Sequence, residues 1–241
     1  MYAMSYKRGQ ERVVALMEGK NPQTMVPACP AWSGTDVVRH LAGLSADISN
    51  NVFDGFASEA WTDQQIQDRA DMSLDEVIAE WNASIDEAGR TLDDVASLDL
   101  PELVPSAMGM VPVTALAPMA ISDILHHEFD LRNAYGDASG RDVPEVHIAA
   151  AGHVRSLRPQ FSALDLPTLR IESTDSGQGW NVGRGEPVAT LRATSFELMR
   201  SIGGRRTREE ILDLEWEDDG ASFVDSMVLP HLAMRDTSLG E

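Results

Sequence analysis

Residues 122–136, SDILHHEFDLRNAYG, set an aspartate, two adjacent histidines, a glutamate and a second aspartate inside an otherwise apolar run. Asp123 and His127 are four apart. On an α-helix that spacing puts both side chains on one face, where a carboxylate and an imidazole can share one metal ion. His126 and Glu128 are each turned about 100° away from His127, so neither can serve that face equally. Two ligands make a weak site, and a third must come from elsewhere. His40, in DVVRHLAGL, lies beside Leu41 and Leu44 on a stripe that should face inward, which makes it the candidate. Three protein ligands leave a fourth position for water or substrate, the arrangement of catalytic rather than structural zinc. The competing reading is local. An Asp/His pair at this spacing also forms an ordinary helix-surface hydrogen bond, and a histidine on an apolar face is also a packing residue. Spacing leaves both open.

The elements that must position these residues can be read in outline. Apolar positions recur at helical spacing over residues 5–19 and stop at GKNP. Ser33 with Asp36, and Ser73 with Glu76, are helix-opening pairs of the capping-box kind. The first opens a helix burying Val37, Leu41, Leu44 and Ile48, and the second one burying Val77, Trp81, Ile85 and Ala88. Pro118 falls in or near the first turn of the helix that carries Asp123 and His127, and Gly136 ends it. Four helices in the first 136 residues predict a bundle. Beyond them DVPEVHIAAAGHVRSLR reads as a helix, LPTLRIEST and EPVATLRATS alternate as strands do, and DSGQGWNVGRG between them reads as a turn. A helix capped at Ser195 and a last strand in LDLEWED complete the chain. The expected class is α+β: a helical bundle over residues 1–160, then a small α/β unit over 161–241.

Composition narrows the function. Of 241 residues 43% are apolar, and the net charge is −20. Such acidity argues against nucleic acid, whose affinity comes from Lys and Arg at phosphates, and against an anionic membrane surface. The longest apolar runs fall short of the roughly 18 residues of a membrane span. The first residues hold scattered charges and no apolar leader segment. The single cysteine, Cys29, forms no internal disulfide, which agrees with a reducing, cytoplasmic setting. Cys29 sits between prolines and reads as a packing residue. Asp130, three residues after His127, reads as its orienting partner. GQGWNVGRG lacks the strand-before, helix-after order of a dinucleotide loop.

Two segments resemble one family. VPACPAWSGTDVVRHLAG is similar to the opening of the second helix in mycothiol-dependent maleylpyruvate isomerase-like proteins, part of the DinB-like group of four-helix metal-binding proteins. The matching positions are Cys29, Pro30, Trp32, Asp36, His40, Leu41 and Gly43. DILHHEFDLRNAYG resembles the family's second motif through Asp123, His127, Asp130, Leu131, Ala134 and Gly136. The resemblance implies a divalent metal, usually zinc, held by His40, Asp123 and His127. It further implies mycothiol as cosubstrate and a small electrophile as substrate, with cis–trans isomerisation by addition and elimination, or thiol transfer. It places a catalytic arginine at Arg205, suited to a substrate carboxylate. The cluster of Arg205, Arg206 and Arg208 is also what a helix C-terminus favours. One departure stands out: Asp123 occupies the family's usual glutamate position and is about 1.5 Å shorter in reach. That departure keeps open a non-catalytic metal- or ligand-binding bundle.

Overall fold

The computed structural model describes residues 1–241. The chain forms two compact units, Met1–Ala138 and Ser139–Glu241.

In the first unit the order is helix α1 (Tyr2–Met17), a hairpin of β1 (Met25–Val26) and β2 (Cys29–Ser33), α2 (Gly34–Ser49), α3 (Glu59–Gln67) and α4 (Leu74–Asp93). A second hairpin, β3 (Leu103–Ser106) with β4 (Gly109–Pro112), leads into α5 (Leu116–Ala134). Both capping boxes form: the Ser33 and Ser73 hydroxyls accept from the amides of Asp36 and Glu76, whose carboxylates accept in return. The start of α1 is capped from outside, because Asp93 at the end of α4 accepts from the α-ammonium group of Met1 and the amide of Tyr2. Pro118 falls in the first turn of α5, and Gly136 takes the left-handed conformation (φ +68°) just past its end. Helix α1 packs against α4 and α5, and α2 packs against α3, α4 and α5. The predicted stripes are buried, Val37, Leu41, Ile48, Val77 and Trp81 completely. The short α3 and both hairpins are additions to the predicted bundle.

In the second unit α6 (Pro144–Ser156) and α7 (Arg158–Ala163) precede a four-stranded sheet. It consists of β5 (Thr168–Ser173), β6 (Gly179–Val182), β7 (Pro187–Ala193) and β8 (Glu215–Glu217), in the order β6-β5-β7-β8. Strands β5 and β7 are parallel, and the outer pairs are antiparallel. Helices α8 (Ser195–Ile202) and α9 (Arg208–Leu212) follow β7. Three expectations are corrected here. The stretch read as a turn holds β6, whose Trp180 and Val182 face inward while its neighbours face out. The cap of α8 is Thr194, which accepts from the Glu197 amide, and Ser195 is buried. The division expected near residue 160 falls at 138/139, because α6 packs against α8 and β6. Arg200, wholly buried, bonds both carboxylate oxygens of Glu241, and Arg206 adds a second guanidinium at 2.7 Å. No helix is long and apolar enough to cross a membrane.

Candidate metal centre

His40 sits mid-way along α2 on the buried stripe, 3% exposed, where a leucine would add about 2 kcal/mol of apolar burial. A polar ring held there at that cost is a sign of use. Helix α5 brings Asp123 to it across 83 residues of sequence: His40 Nε2 stands 3.1 Å from Asp123 Oδ2. The second oxygen of the same carboxylate, Oδ1, lies 3.8 Å from Nε2 of His127 one turn on. The imidazoles meet edge to face with centroids 5.0 Å apart, and Trp32 of β2 lies against both, at 5.4 and 5.5 Å. Both rings are buried while Asp123 is 29% exposed, so solvent reaches the cluster on the acid's side.

Each imidazole also has a partner behind it. The Nδ1 of His40 is 2.8 Å from Oε1 of Gln65 on α3, and Nε2 of that amide donates to Asp47 Oδ2 at 2.6 Å. The Nδ1 of His127 is 3.4 Å from Asp130 Oδ2, a carboxylate that also accepts from Cys29 Sγ at 3.6 Å, and the Nδ1 itself completes no hydrogen bond. Burial disfavours the charged form of His40, but Asp123 and the Gln65 contact outweigh it and hold the imidazole above its ordinary range. Burial likewise raises Asp47, against the opposing pull of Gln65 and Arg69. The Tyr6 hydroxyl of α1 is wholly buried without a hydrogen-bond partner. Burial, then Asp123 and Asp47, push it well above the phenol range, so it stays protonated.

The donor atoms of His40, Asp123 and His127 all lie within 4.8 Å of one another. Around a four-coordinate divalent ion bonded at about 2.0–2.2 Å, donors stand roughly 3.3–3.5 Å apart. The measured separations of 3.1 and 3.8 Å bracket that spacing, so the residues fit such an ion. The two oxygens of Asp123 address the two rings separately. Cys29, His127 and Asp130 form a second grouping that shares His127. It lies on the Nδ1 side of that ring. A neutral imidazole that offers Nε2 to an ion carries its proton on Nδ1, so this grouping acts as a backing for His127.

The other sequence-predicted residues separate. His126 is buried but joins neither grouping. Glu128, also buried, pairs with Arg12 and Arg132 at 2.9–3.1 Å. Arg205 lies in the second unit just past α8, half-buried, with Nη1 donating to the Gly203 carbonyl at 3.0 Å, as a helix-end cation does. A Ser/His/Asp grouping there, Ser195 with His147 at 2.8 Å and Asp175 at 2.9 Å, is a cap rather than a triad. Its aspartate binds the buried serine instead of the imidazole. Sequence reasoning missed Gln65 and Asp47. Asp47 carried a usable signal, seven residues or two turns beyond His40 on the same helix. Gln65 carried none.

No curated protein sequence matches the chain. Among solved structures, the crystal structure of the mycothiol-dependent maleylpyruvate isomerase aligns over 85% of this chain and 88% of its own, with a TM-score of 0.57 at 13% identity. A histidine-to-alanine mutant of that isomerase aligns over 84% and 88%, with a TM-score of 0.57 at 12% identity. The helical unit and the α/β unit that follows it thus share the fold of that isomerase. The family described as the mycothiol maleylpyruvate isomerase N-terminal domain matches residues 8–132, just over half of the chain, from within α1 through His40 and His127. The protein belongs to that family.

Proposed function

We propose that the protein is a thiol-dependent isomerase or S-transferase acting on a small electrophile, with a divalent cation, most simply zinc, held by His40, Asp123 and His127 and with mycothiol as the cosubstrate. The observation that carries the reading is the convergence of these three donors from α2 and α5 on one point, inside the segment that defines the family. A cation there would hold a thiol, mostly protonated at neutral pH when free, as its thiolate. The protein's own residues do the rest. His40 and His127 keep Nε2 directed to the point, Asp123 supplies negative charge at its solvent side, and Trp32 closes one wall against water.

With a cis-enoyl acid, thiolate addition moves the π electrons onto the conjugated carbonyl and leaves a single bond free to rotate. Their return expels the thiolate and forms the trans isomer, so no atom is gained or lost. With an alkyl or aryl electrophile the thiolate sulfur forms a C–S bond as the bond to the leaving group breaks and that group departs with the electron pair, and the thioether is the product. Arg205 is the proposed partner of a substrate carboxylate, since a guanidinium fork matches that group. Arg205→Lys is then expected to raise KM with bound metal unchanged.

The test is metal analysis together with thiol-dependent turnover on cis-enoyl acids and a panel of electrophiles, for the wild type and His40→Ala. The reading requires metal and activity in the first and the loss of both in the second. A His40→Ala protein that keeps full metal and full turnover overturns it. Bound metal with no thiol-dependent turnover returns the chain to a binding role.

A further inference from the structure

Resting on that reading of the cation site, a further role falls to residues outside it. We propose that Gln65, backed by Asp47, is the positioning residue that fixes the tautomer of His40, so that Nε2 meets the cation site with a bare lone pair. The argument is one of hydrogen-bond supply. A neutral imidazole carries one N–H and one acceptor nitrogen, and only the bare nitrogen can bind a metal. Asp47 Oδ2 lies 2.6 Å from one end of the Gln65 amide. A carboxylate oxygen accepts there, so that end must be the NH₂ group, because a carbonyl against it would set two acceptors together. The other end, 2.8 Å from His40 Nδ1, is then the carbonyl oxygen, and Nδ1 must be the protonated nitrogen. Asp47 sets the amide and the amide holds a proton on Nδ1, so Nε2, which donates to Asp123 Oδ2 at 3.1 Å, is the nitrogen whose proton a cation would replace.

The surroundings hold this chain of bonds in place. Gln65 and His40 are each 3% exposed, so water does not compete for either group. Arg69, one turn on from Gln65, donates to the backbone carbonyl of Gln65 at 2.9 Å and is itself held by Glu80 at 2.6 and 2.8 Å, which ties α3 to α4. Gly43 makes the approach of α3 possible. A methyl group there would stand 2.5 Å from Gln65 Cβ and 2.9 Å from Arg69 Nη1. The result is a dry, two-bond link that does for His40 what a carboxylate behind a metal-bound histidine commonly does, with a neutral amide in the facing position.

Cobalt(II) is the probe, titrated into metal-free wild type, Gln65→Leu and the double variant Gln65→Glu with Asp47→Asn against a competing chelator and followed by its visible d–d absorption. Gln65→Leu is expected to weaken Co(II) binding by about 10–100-fold, the range for loss of such partners. Gln65→Glu is made together with Asp47→Asn, whose amide donates where a second carboxylate would repel, so an acceptor still faces Nδ1 and binding is expected to stay near wild type. Thermal melting of the metal-free proteins checks that all three are folded. Wild-type affinity in Gln65→Leu, or an equal loss in both variants, overturns the proposal. If Gln65→Leu does not fold, Asp47→Ala carries the test. It frees the amide to turn over, so weaker binding is expected and unchanged binding overturns the proposal. A wild-type protein that takes up no Co(II) overturns the cation site and this proposal with it, whereas wild-type uptake with unaltered variants overturns the proposal alone.

Discussion

His40 and His127 turn the same atom toward the same carboxylate, yet they are held from behind by different means. His127 leans on its own helix. Asp130 lies one turn along α5, at 3.4 Å and without completed hydrogen-bond geometry, and Trp32 packs against the ring. His40 is held from a different helix, by an amide at 2.8 Å that is itself fixed at 2.6 Å. The first support is slack and local, and the second is tight and tertiary. One imidazole is fixed by a second helix, while the other has room to settle.

The largest expected effect extends the comparison to a buried histidine of the second unit. His40 is held above the ordinary imidazole range by Asp123 in spite of burial. His153 meets the opposite surroundings: burial, then Arg205 and His231, push it down to about 4. The unfolded imidazole titrates near 6.5, so between those values the unfolded chain binds more protons and the native state weakens as pH falls. The full contribution is present above pH 6.5, and about 3 kcal/mol is lost by pH 4. Urea melts of the wild type and His153→Leu across that window should show the loss in the first and a flatter acid limb in the second. Parallel curves would mean that His153 is not buried neutral.

Gly43→Ala separates tertiary support from local support without removing a polar atom. Crowding α3 is expected to cost about 1–3 kcal/mol of stability. It should also weaken Co(II) binding through the displaced Gln65, and unchanged affinity would show that the His40 support tolerates movement of α3. Asp130→Asn probes the other side. It keeps an acceptor facing Nδ1 of a ring already placed by its helix, so it is expected to cost less than about tenfold in Co(II) affinity, below the effect of Gln65→Leu. The reverse order would invert the assignment of tight and slack. The smallest effect is that of Tyr6→Phe, which removes a buried hydroxyl with no partner. Stability is expected to be unchanged or to rise by up to about 1 kcal/mol in thermal melts. A clear loss would show that the hydroxyl is engaged.

The same contrast explains what could be read from the sequence. Asp123, His127 and Asp130 are related by spacings of four and three on one helix, so their grouping follows from helix geometry alone. His40 was reachable because it interrupts an apolar stripe. Gln65 was out of reach. It lies 25 residues from His40, on a nine-residue helix with little apolar repeat, and its placement depends on an absent side chain at Gly43. The fold divides likewise. Long capped helices α2 and α4 declare themselves by Ser33/Asp36 and Ser73/Glu76, whereas β6 is four residues among glycines. Helix α6 is legible as a helix, but its place in the second unit follows only from packing against β6 and α8.

Glu128, gripped by Arg12 of α1 and by Arg132, gives α5 a second charged face about 100° from the one that carries Asp123 and His127. A uniformly apolar helix could seat itself at several rotations about its own axis with similar burial. This one cannot: a turn of one residue step would set Glu128 where His127 belongs and take its wholly buried carboxylate away from Arg12 and Arg132, a penalty of several kcal/mol. The ion cluster thereby acts as a rotational key that keeps Asp123 and His127 on the side of α5 that faces His40.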